Sequence, residues 1–297
     1  MEFGTDSHFL IGHAHVKSGT PCQDFALSGV FADGGVAFAI ACDGCSTADR
    51  NEKGEFIPGI FSGMGSQTLG FATRKAIKEL WQASPMVEGL APQVAIQQRM
   101  LMNAACTTLG LTYRDMYTTC VYAILTPQGG FVHLQGDGVV AVRRLNGEVT
   151  LYRYDWQNNT PFYPAYASMD NCASFVGRHG GLDAKALQEE IWIKTPDGNL
   201  EQLGGENYSV YEGIRGVTIG LPDVDDIELV AVFTDGVTQV EGVDWKDAAL
   251  ALLNFKTTAG QFATRRMNRF VSDVQPNGRG LMDDGGYACI LRVTEEE

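Results

Sequence analysis

Short apolar runs rich in β-branched and aromatic residues recur along this chain, and their flanks are rich in Gly, Asp and Asn. They are HFLIGHAH (8–15), GVAFAIAC (35–42), TTCVYAIL (118–125), GGFVHLQG (129–136), VVAVRRL (139–145), EVTLYRY (148–154), IELVAVF (227–233) and YACILRV (287–293). Runs of that length, bounded by residues that favour turns, predict strands. Four longer stretches, roughly 64–81, 92–113, 244–254 and 260–274, carry apolar residues three and four apart and predict helices. In the first of them Leu69, Thr73, Ala76 and Leu80 share one stripe while Arg74, Lys75 and Lys78 point elsewhere. The helices come as two adjacent pairs, one after the second strand and one before the last. This order predicts an α+β fold with helices packed outside sheets, not a βαβ alternation. The tract 155–212, rich in Asn, Gly, Tyr and Pro, reads as an inserted flap or a long surface loop within a single domain spanning 1–297.

The chain has 297 residues, 44% of them hydrophobic, enough for a large core. No run approaches the ~18 apolar residues of a membrane helix, and the start MEFGTDSHFL lacks the basic flank and apolar core of a secretion signal. The chain therefore reads as cytoplasmic. Its formal net charge of −14 opposes a nucleic-acid groove, which needs clustered Lys and Arg. Seven cysteines, an odd number in a long chain, read as reduced thiols. Cys42 and Cys45 form a CxxC, but with no second pair at zinc-like spacing they read as small residues in a packed turn. Cys22, Cys120 and Cys289 sit in or beside apolar runs and read as core residues, and His133 reads as a satisfied core or partly exposed histidine and not as a ligand. The stretch PGIFSGMGSQ (58–67) lacks the Gly-Lys-Ser/Thr of a nucleotide-phosphate loop and reads as a helix entrance.

The chemistry is carried by aspartates at the ends of apolar runs. They are Asp24 in PCQDFA, Asp43 in AIACDGCS, Asp235 in VFTDGVT, and Asp283 and Asp284 in LMDDGGYACILRV. Asp-Gly is a common turn signal, so each alone reads more readily as a turn than as a ligand. Four such sites together are less easily explained by turns. Hard divalent cations such as Mg²⁺ and Mn²⁺ take oxygen ligands, keep several waters and need few carboxylates. A Gly after the Asp allows a sharp turn that aims its carbonyl inward.

The order of these motifs resembles the type 2C (PPM) family of metal-dependent protein serine/threonine phosphatases. The motifs run Gln23-Asp24, Asp43-Gly44, Gly136-Asp137-Gly138, Asp235-Gly236 and Asp283-Asp284, and the opening GHAHVKSGTPCQD is most similar to a bacterial branch. The resemblance implies a four-layer αββα sandwich, two central, mainly antiparallel sheets flanked by helix pairs. It implies two Mn²⁺ or Mg²⁺ ions bridged by Asp43, with the Gly44 carbonyl as a further ligand. Asp235 and Asp283 would complete one ion and Asp24 would act on the other through bound water, which makes Asp43, Asp24 and Asp235 the catalytic set. Asp284 falls where the family usually has Asn and ranks below Asp283. Asp137 lies at a position that in some members helps hold a third, looser metal.

The implied reaction is hydrolysis of phosphoserine or phosphothreonine in a protein, such as the target of a bacterial kinase, by a metal-activated water and without a phosphoenzyme. Two departures stand out. The family's phosphate-gripping Arg is replaced here by Gly19, leaving His15 and Lys17 as phosphate-binding candidates, and a family Asp-Gly-His-Gly reads Asp43-Gly44-Cys45-Ser46. The first departure keeps open a second reading, a pseudophosphatase that acts as a regulatory binding module. An N-terminal-nucleophile hydrolase would need a Cys, Ser or Thr exposed by processing at the N-terminus, and the start of the chain offers none.

Overall fold

The computed structural model describes residues 1–31, 35–45, 62–168, 171–274 and 280–293. Thirteen strands and seven helices are described. The strands are β1 (Glu2–Leu10), β2 (Phe25–Phe31), β3 (Val36–Cys42), β4 (Cys120–Thr126), β5 (Gly129–Gln135), β6 (Gly138–Arg144), β7 (Val149–Trp156), β8 (Lys185–Lys194), β9 (Leu200–Gly204), β10 (Asn207–Ser209), β11 (Val217–Leu221), β12 (Ile227–Phe233) and β13 (Gly285–Val293). The helices are α1 (His13–Ser18), α2 (Ser62–Ala83), α3 (Leu90–Leu109), α4 (Asn171–Arg178), α5 (Val210–Arg215), α6 (Trp245–Leu252) and α7 (Phe262–Val274).

An eight-stranded antiparallel sheet runs β1-β13-β12-β6-β7-β8-β10, with β9 also paired to β8, and a five-stranded antiparallel sheet runs β11-β5-β4-β3-β2. The two-residue period of a strand sorts their side chains between two faces. Ala37, Ala39 and Ala41 of β3 meet Val140 and Val142 of β6, Val230 and Val232 of β12, and Ala288 and Ile290 of β13 in the layer between the sheets. The alternate residues Phe38, Ile40 and Cys42 pack outward with Leu69, Ile77 and Val94 of the α2/α3 pair. On the far side Val139, Leu229, Ala231, Phe233, Tyr287 and Cys289 pack with Trp245, Ala249, Phe262, Met267 and Phe270 of α6 and α7. Four layers result, as the resemblance implies. Both faces of the central strands are buried, which explains why these strands read as continuous apolar runs.

The predicted first strand over 8–15 differs from the structure. β1 begins at Glu2 and ends at Leu10, and His13–Ser18 turns into α1. At Gly12 the backbone passes so close to Asp283 that a Cβ would sit 2.1 Å from the Asp283 carbonyl carbon. His13 and Ala14 then donate their N–H groups to Leu281 and Met282 at 2.9 and 3.0 Å, which bends the chain out of the sheet. The tract 155–212 contains β8, β9, β10, α4 and the start of α5, and β8 is a ten-residue member of the large sheet. Of the glycine-rich stretch 58–67, residues 58–61 lie outside the described residues; the rest opens α2.

Candidate active site

Strand register brings the sequence-distant aspartates to one end of the sandwich. Phe25 of β2 pairs with Cys42 of β3, so Asp24, just before β2, adjoins Asp43, just after β3. Phe233 of β12 pairs with Tyr287 of β13, which puts Asp235, two residues beyond, beside Asp283 and Asp284, which precede that strand. Val139 of β6 pairs with Phe233, so the turn that crosses from β5 in one sheet to β6 in the other carries Asp137 to the same end. Gly136 and Gly138 bracket that aspartate with φ of 104° and 146°, values that only glycine adopts without strain.

Hydrogen bonds lock the two sheet ends together. The Thr234 hydroxyl donates to Asp24 Oδ2 at 2.6 Å and accepts the Gly286 N–H at 2.9 Å. The Thr119 N–H donates to the Asp43 carbonyl at 2.8 Å, while Gly44 bridges to Thr118 and donates its N–H to the Gln23 carbonyl at 3.2 Å. The two adjacent aspartates have different surroundings. Asp284 is buried, accepts the Gly12 N–H on Oδ1 at 2.7 Å and the Gln23 N–H on Oδ2 at 2.6 Å, and meets His15 Nδ1 at 2.9 Å. Its carboxylate therefore joins three chain segments behind the site. Asp283 is more exposed and is linked to Asp235 by Gln239, whose amide donates to Asp235 Oδ2 at 2.9 Å and to Asp283 Oδ2 at 3.3 Å. His15, Asp283 and Asp284 are the one group of three among the described residues whose ligand atoms all lie within 4.8 Å of one another.

Gly236 accounts for one of the Asp-Gly pairs in a way that differs from the sequence expectation. Its φ is not left-handed. Instead a Cβ there would lie 1.7 Å from the Asp284 carbonyl oxygen, so the glycine lets the Asp235 turn pack against the Asp283-Asp284 segment.

Crowding of like charges is the dominant electrostatic fact. Burial, and then the Asp43 carboxylate, push Asp24 well above the ordinary carboxylate range, while the Thr234 bond opposes the shift. Burial and the carboxylates of Asp235, Asp283 and Asp284 push Asp43 up. Burial and Asp235, Asp43 and Asp155 push Asp137 up. Asp235 rises to about 6, from burial first and Asp283 next. Asp137 Oδ1 is buried with no hydrogen-bond partner among the described residues. Acceptor oxygens crowded in this way, one of them orphaned, fit a site built for hard cations.

Of the phosphate candidates, His15 faces Asp284 behind the cluster, and Lys17 stands exposed near the end of α1. Gly19 caps that helix with φ 71°. A cavity of about 640 Å³ opens instead on the side of Asp137 and Asp235, and Arg153 of β7 is the cation among the described residues that line it. Asp155 accepts from Arg153 Nη2 at 2.8 Å, and the guanidinium lies 6.0 Å from the centre of the Trp245 ring. Asn158 and Asn159, with φ of 60° and 48°, form part of the same wall. Arg153, Asp155 and Gln239 carry no motif. Their relation to the site comes from strand pairing and from the turn after β12.

Cys120 and Cys289 are buried, as the core reading expects, whereas Cys22, also read as core, is only partly buried; Cys42 is buried and Cys45 partly buried. His133 is buried, with Nδ1 2.9 Å from the Thr218 hydroxyl. No helix among the described residues is long and apolar enough to cross a membrane.

The protein phosphatase 2C family model matches residues 11–272, and the chain belongs to that family, whose class is the protein serine/threonine phosphatases. Among solved structures it resembles a Caenorhabditis elegans sex determining protein, with 12% identity and a TM-score of 0.53 over 98% of this chain; the chain spans 65% of that protein. It resembles the S. agalactiae serine/threonine phosphatase, with 14% identity, a TM-score of 0.51, and coverage of 98% of this chain and 100% of the other. A third is the Toxoplasma gondii serine-threonine phosphatase 2C, with 13% identity, a TM-score of 0.53, and coverage of 98% and 95%. At these identities the likeness is one of fold. Among curated proteins no match was found.

Proposed function

We propose that this protein hydrolyses phosphoserine and phosphothreonine in proteins at a centre of two divalent cations, Mg²⁺ or Mn²⁺. Asp43 would lie between the ions, the Gly44 carbonyl, Asp235 and Asp283 would complete one, and Asp24 would serve the other through water, with Asp137 facing a third. The observation that carries the reading is the convergence of carboxylates from both sheets, each held up in pKa by its neighbours. Such a cluster is stable in its ionised form only beside positive charge. Bound divalent cations supply a water acidic enough to attack near neutral pH and offset charge on the phosphoryl oxygens.

The chain's own residues position the reaction. Thr234 fixes the orientation of Asp24, and Gln239 holds Asp235 and Asp283 side by side. Asp284 and His15 keep the α1 segment against the site from behind. Arg153 lines the adjoining cavity with its Nη2 held by Asp155 and its Nη1 3.7 Å from Glu190, a looser pair that a phosphoryl oxygen would have to displace. This supports Arg153, in place of His15 and Lys17, as the phosphate-binding residue. The substrate is a phosphorylated protein.

The second reading, a regulatory module without turnover, is favoured by Gly19 at the position of the family's phosphate-gripping Arg. Manganese-dependent hydrolysis of p-nitrophenyl phosphate and of a phosphothreonine peptide separates the two. Asp43→Ala and Asp235→Ala are each expected to cut turnover more than about a hundredfold. Activity that survives both changes removes the site assignment. Absence of turnover in the unaltered protein, with manganese binding intact, favours the regulatory module.

A further inference from the structure

A second pocket, of about 290 Å³, lies between α7 and the segment that follows α6. In a chain with a formal charge of −14, its lining holds Lys256, Arg265, Arg266 and Arg269 and, among the described residues, no carboxylate. Local partners leave much of that charge uncompensated. Among the described residues Arg265 donates to the backbone carbonyls of Thr257 and Ala259, at 3.4 and 2.6 Å. Arg269 pairs with Asp273 one helical turn on, an exposed pair of the kind that contributes little. Arg266 Nε is buried and has no acceptor among the described residues. A buried donor without an acceptor is costly, and a bound anion would remove that cost.

The lining is not wholly polar. Phe255 and Phe262 meet edge to face, with ring centroids 4.9 Å apart, and Phe262 is buried. An arginine rim around an aromatic floor suits a ligand that carries an apolar group beside negative charge. The volume accommodates one or two side chains rather than a cofactor. The net charge of −14 opposes an extended polyanion, whereas a short segment meets chiefly the local field of the lining cations. The pocket is also tied to the strand that starts at the carboxylate cluster. Tyr287, three residues after Asp284, donates its hydroxyl to the Ala263 carbonyl in the first turn of α7 at 2.6 Å.

We infer that this pocket docks a short anionic segment of a partner protein, in which an apolar side chain sits on Phe255 and Phe262 and flanking carboxylate or phosphoryl groups pair with Lys256, Arg265, Arg266 and Arg269. The site is separate from the catalytic cleft and does not depend on turnover there.

Fluorescence anisotropy on the full chain in EDTA, which leaves the catalytic centre no cation to bind or hydrolyse a phosphoryl group, tests this with a labelled acidic peptide centred on phenylalanine. The same peptide with phosphoserines, its glutamine analogue and an oligothymidylate serve as comparison probes. The acidic or phosphoserine peptide is expected to bind with strong salt dependence and the glutamine analogue at least about tenfold more weakly. The better of the two anionic peptides identifies whether carboxylate or phosphoryl is preferred. Lys256→Gln combined with Arg269→Gln, both on the exposed rim, should weaken binding at least about tenfold, whereas Asp43→Asn should leave it unchanged. Binding that is indifferent to the rim changes, or lost with Asp43→Asn, overturns the inference. So do absence of binding by both anionic peptides and tighter binding of the oligothymidylate.

Discussion

Replacing Asp235 by asparagine should stabilise the metal-free protein while abolishing its response to manganese. The Asp235 carboxyl titrates at about 6 in the fold against an ordinary value of 3.8. The folded state thus holds this proton to higher pH than the unfolded chain. The associated stability is complete below about pH 4 and is lost as pH rises through about 6. The difference of about two pH units corresponds to about 3 kcal/mol. Because Asp235 is partly exposed, solvent screening reduces this to about 1–2 kcal/mol. Asparagine carries no charge, and its side-chain oxygen can still accept from Gln239. In EDTA near pH 7.5 the variant should melt about 2–5 °C above the parent, given the steep entropy of a chain this long. Near pH 5, where the aspartate is largely protonated, most of the gain should vanish. Millimolar manganese should raise the parent's melting temperature and leave the variant's nearly unchanged. Differential scanning fluorimetry reads all three conditions. A variant less stable than the parent in EDTA at the higher pH would refute the picture of mutually repelling carboxylates.

Three further outcomes follow from other residues. Gly236→Ala places a methyl group where the Asp284 carbonyl oxygen lies, so it should cost about 1–3 kcal/mol in urea unfolding and blunt the manganese-induced rise in melting temperature; an unaltered rise would show that the segment yields freely. His133, held neutral by burial with a pKa near 4 against 6.5, binds its proton more readily in the unfolded chain. Stability should therefore fall by up to about 3 kcal/mol as pH drops from about 6.5 to 4, and His133→Gln should flatten that part of the profile; parallel profiles would dismiss the effect. Arg153→Ala should raise KM for a phosphothreonine peptide and weaken inhibition by inorganic phosphate about tenfold or more, with Arg153→Lys recovering part and manganese stabilisation unchanged; unaltered phosphate inhibition would remove Arg153 from the phosphoryl subsite.

How legible each element was in the sequence follows from where it lies in the layers. The runs read as β3, β4, β5, β6, β7, β12 and β13 lie inside the sheets, mostly with both faces covered, so apolar residues fill nearly every position. The strands that went unread, β2, β10 and β11, lie at sheet ends, with β8 next to β10 and β9 paired to β8. FALSGVF and VTIGL contain Gly, and KALQEEIWIK is half polar because it is only partly covered. The helices α2, α3, α6 and α7 were legible from their amphipathic spacing, whereas α4, as short as α6, lies in the tract read as a flap or surface loop. The six-residue helices α1 and α5 are too short to show a period, and α1 exists because the backbone near Gly12 is held against residues 281–283.

The sequence alone determined the layered α+β class, the acidic grammar at strand ends and the family those motifs resemble, because periodicity and turn chemistry are local properties written residue by residue. Tertiary structure decided which carboxylates face one another. Asp283 and Asp284 are neighbours in the chain, yet one is joined to Asp235 by Gln239 and the other accepts backbone N–H groups behind the site. Arg153 enters the cleft only after antiparallel pairing brings β7 beside strands far from it in the sequence, and packing of α7 sets Lys256 and Phe255, from the segment after α6, beside its three arginines. Long-range register is a property of the folded sheet, and no local pattern encodes it.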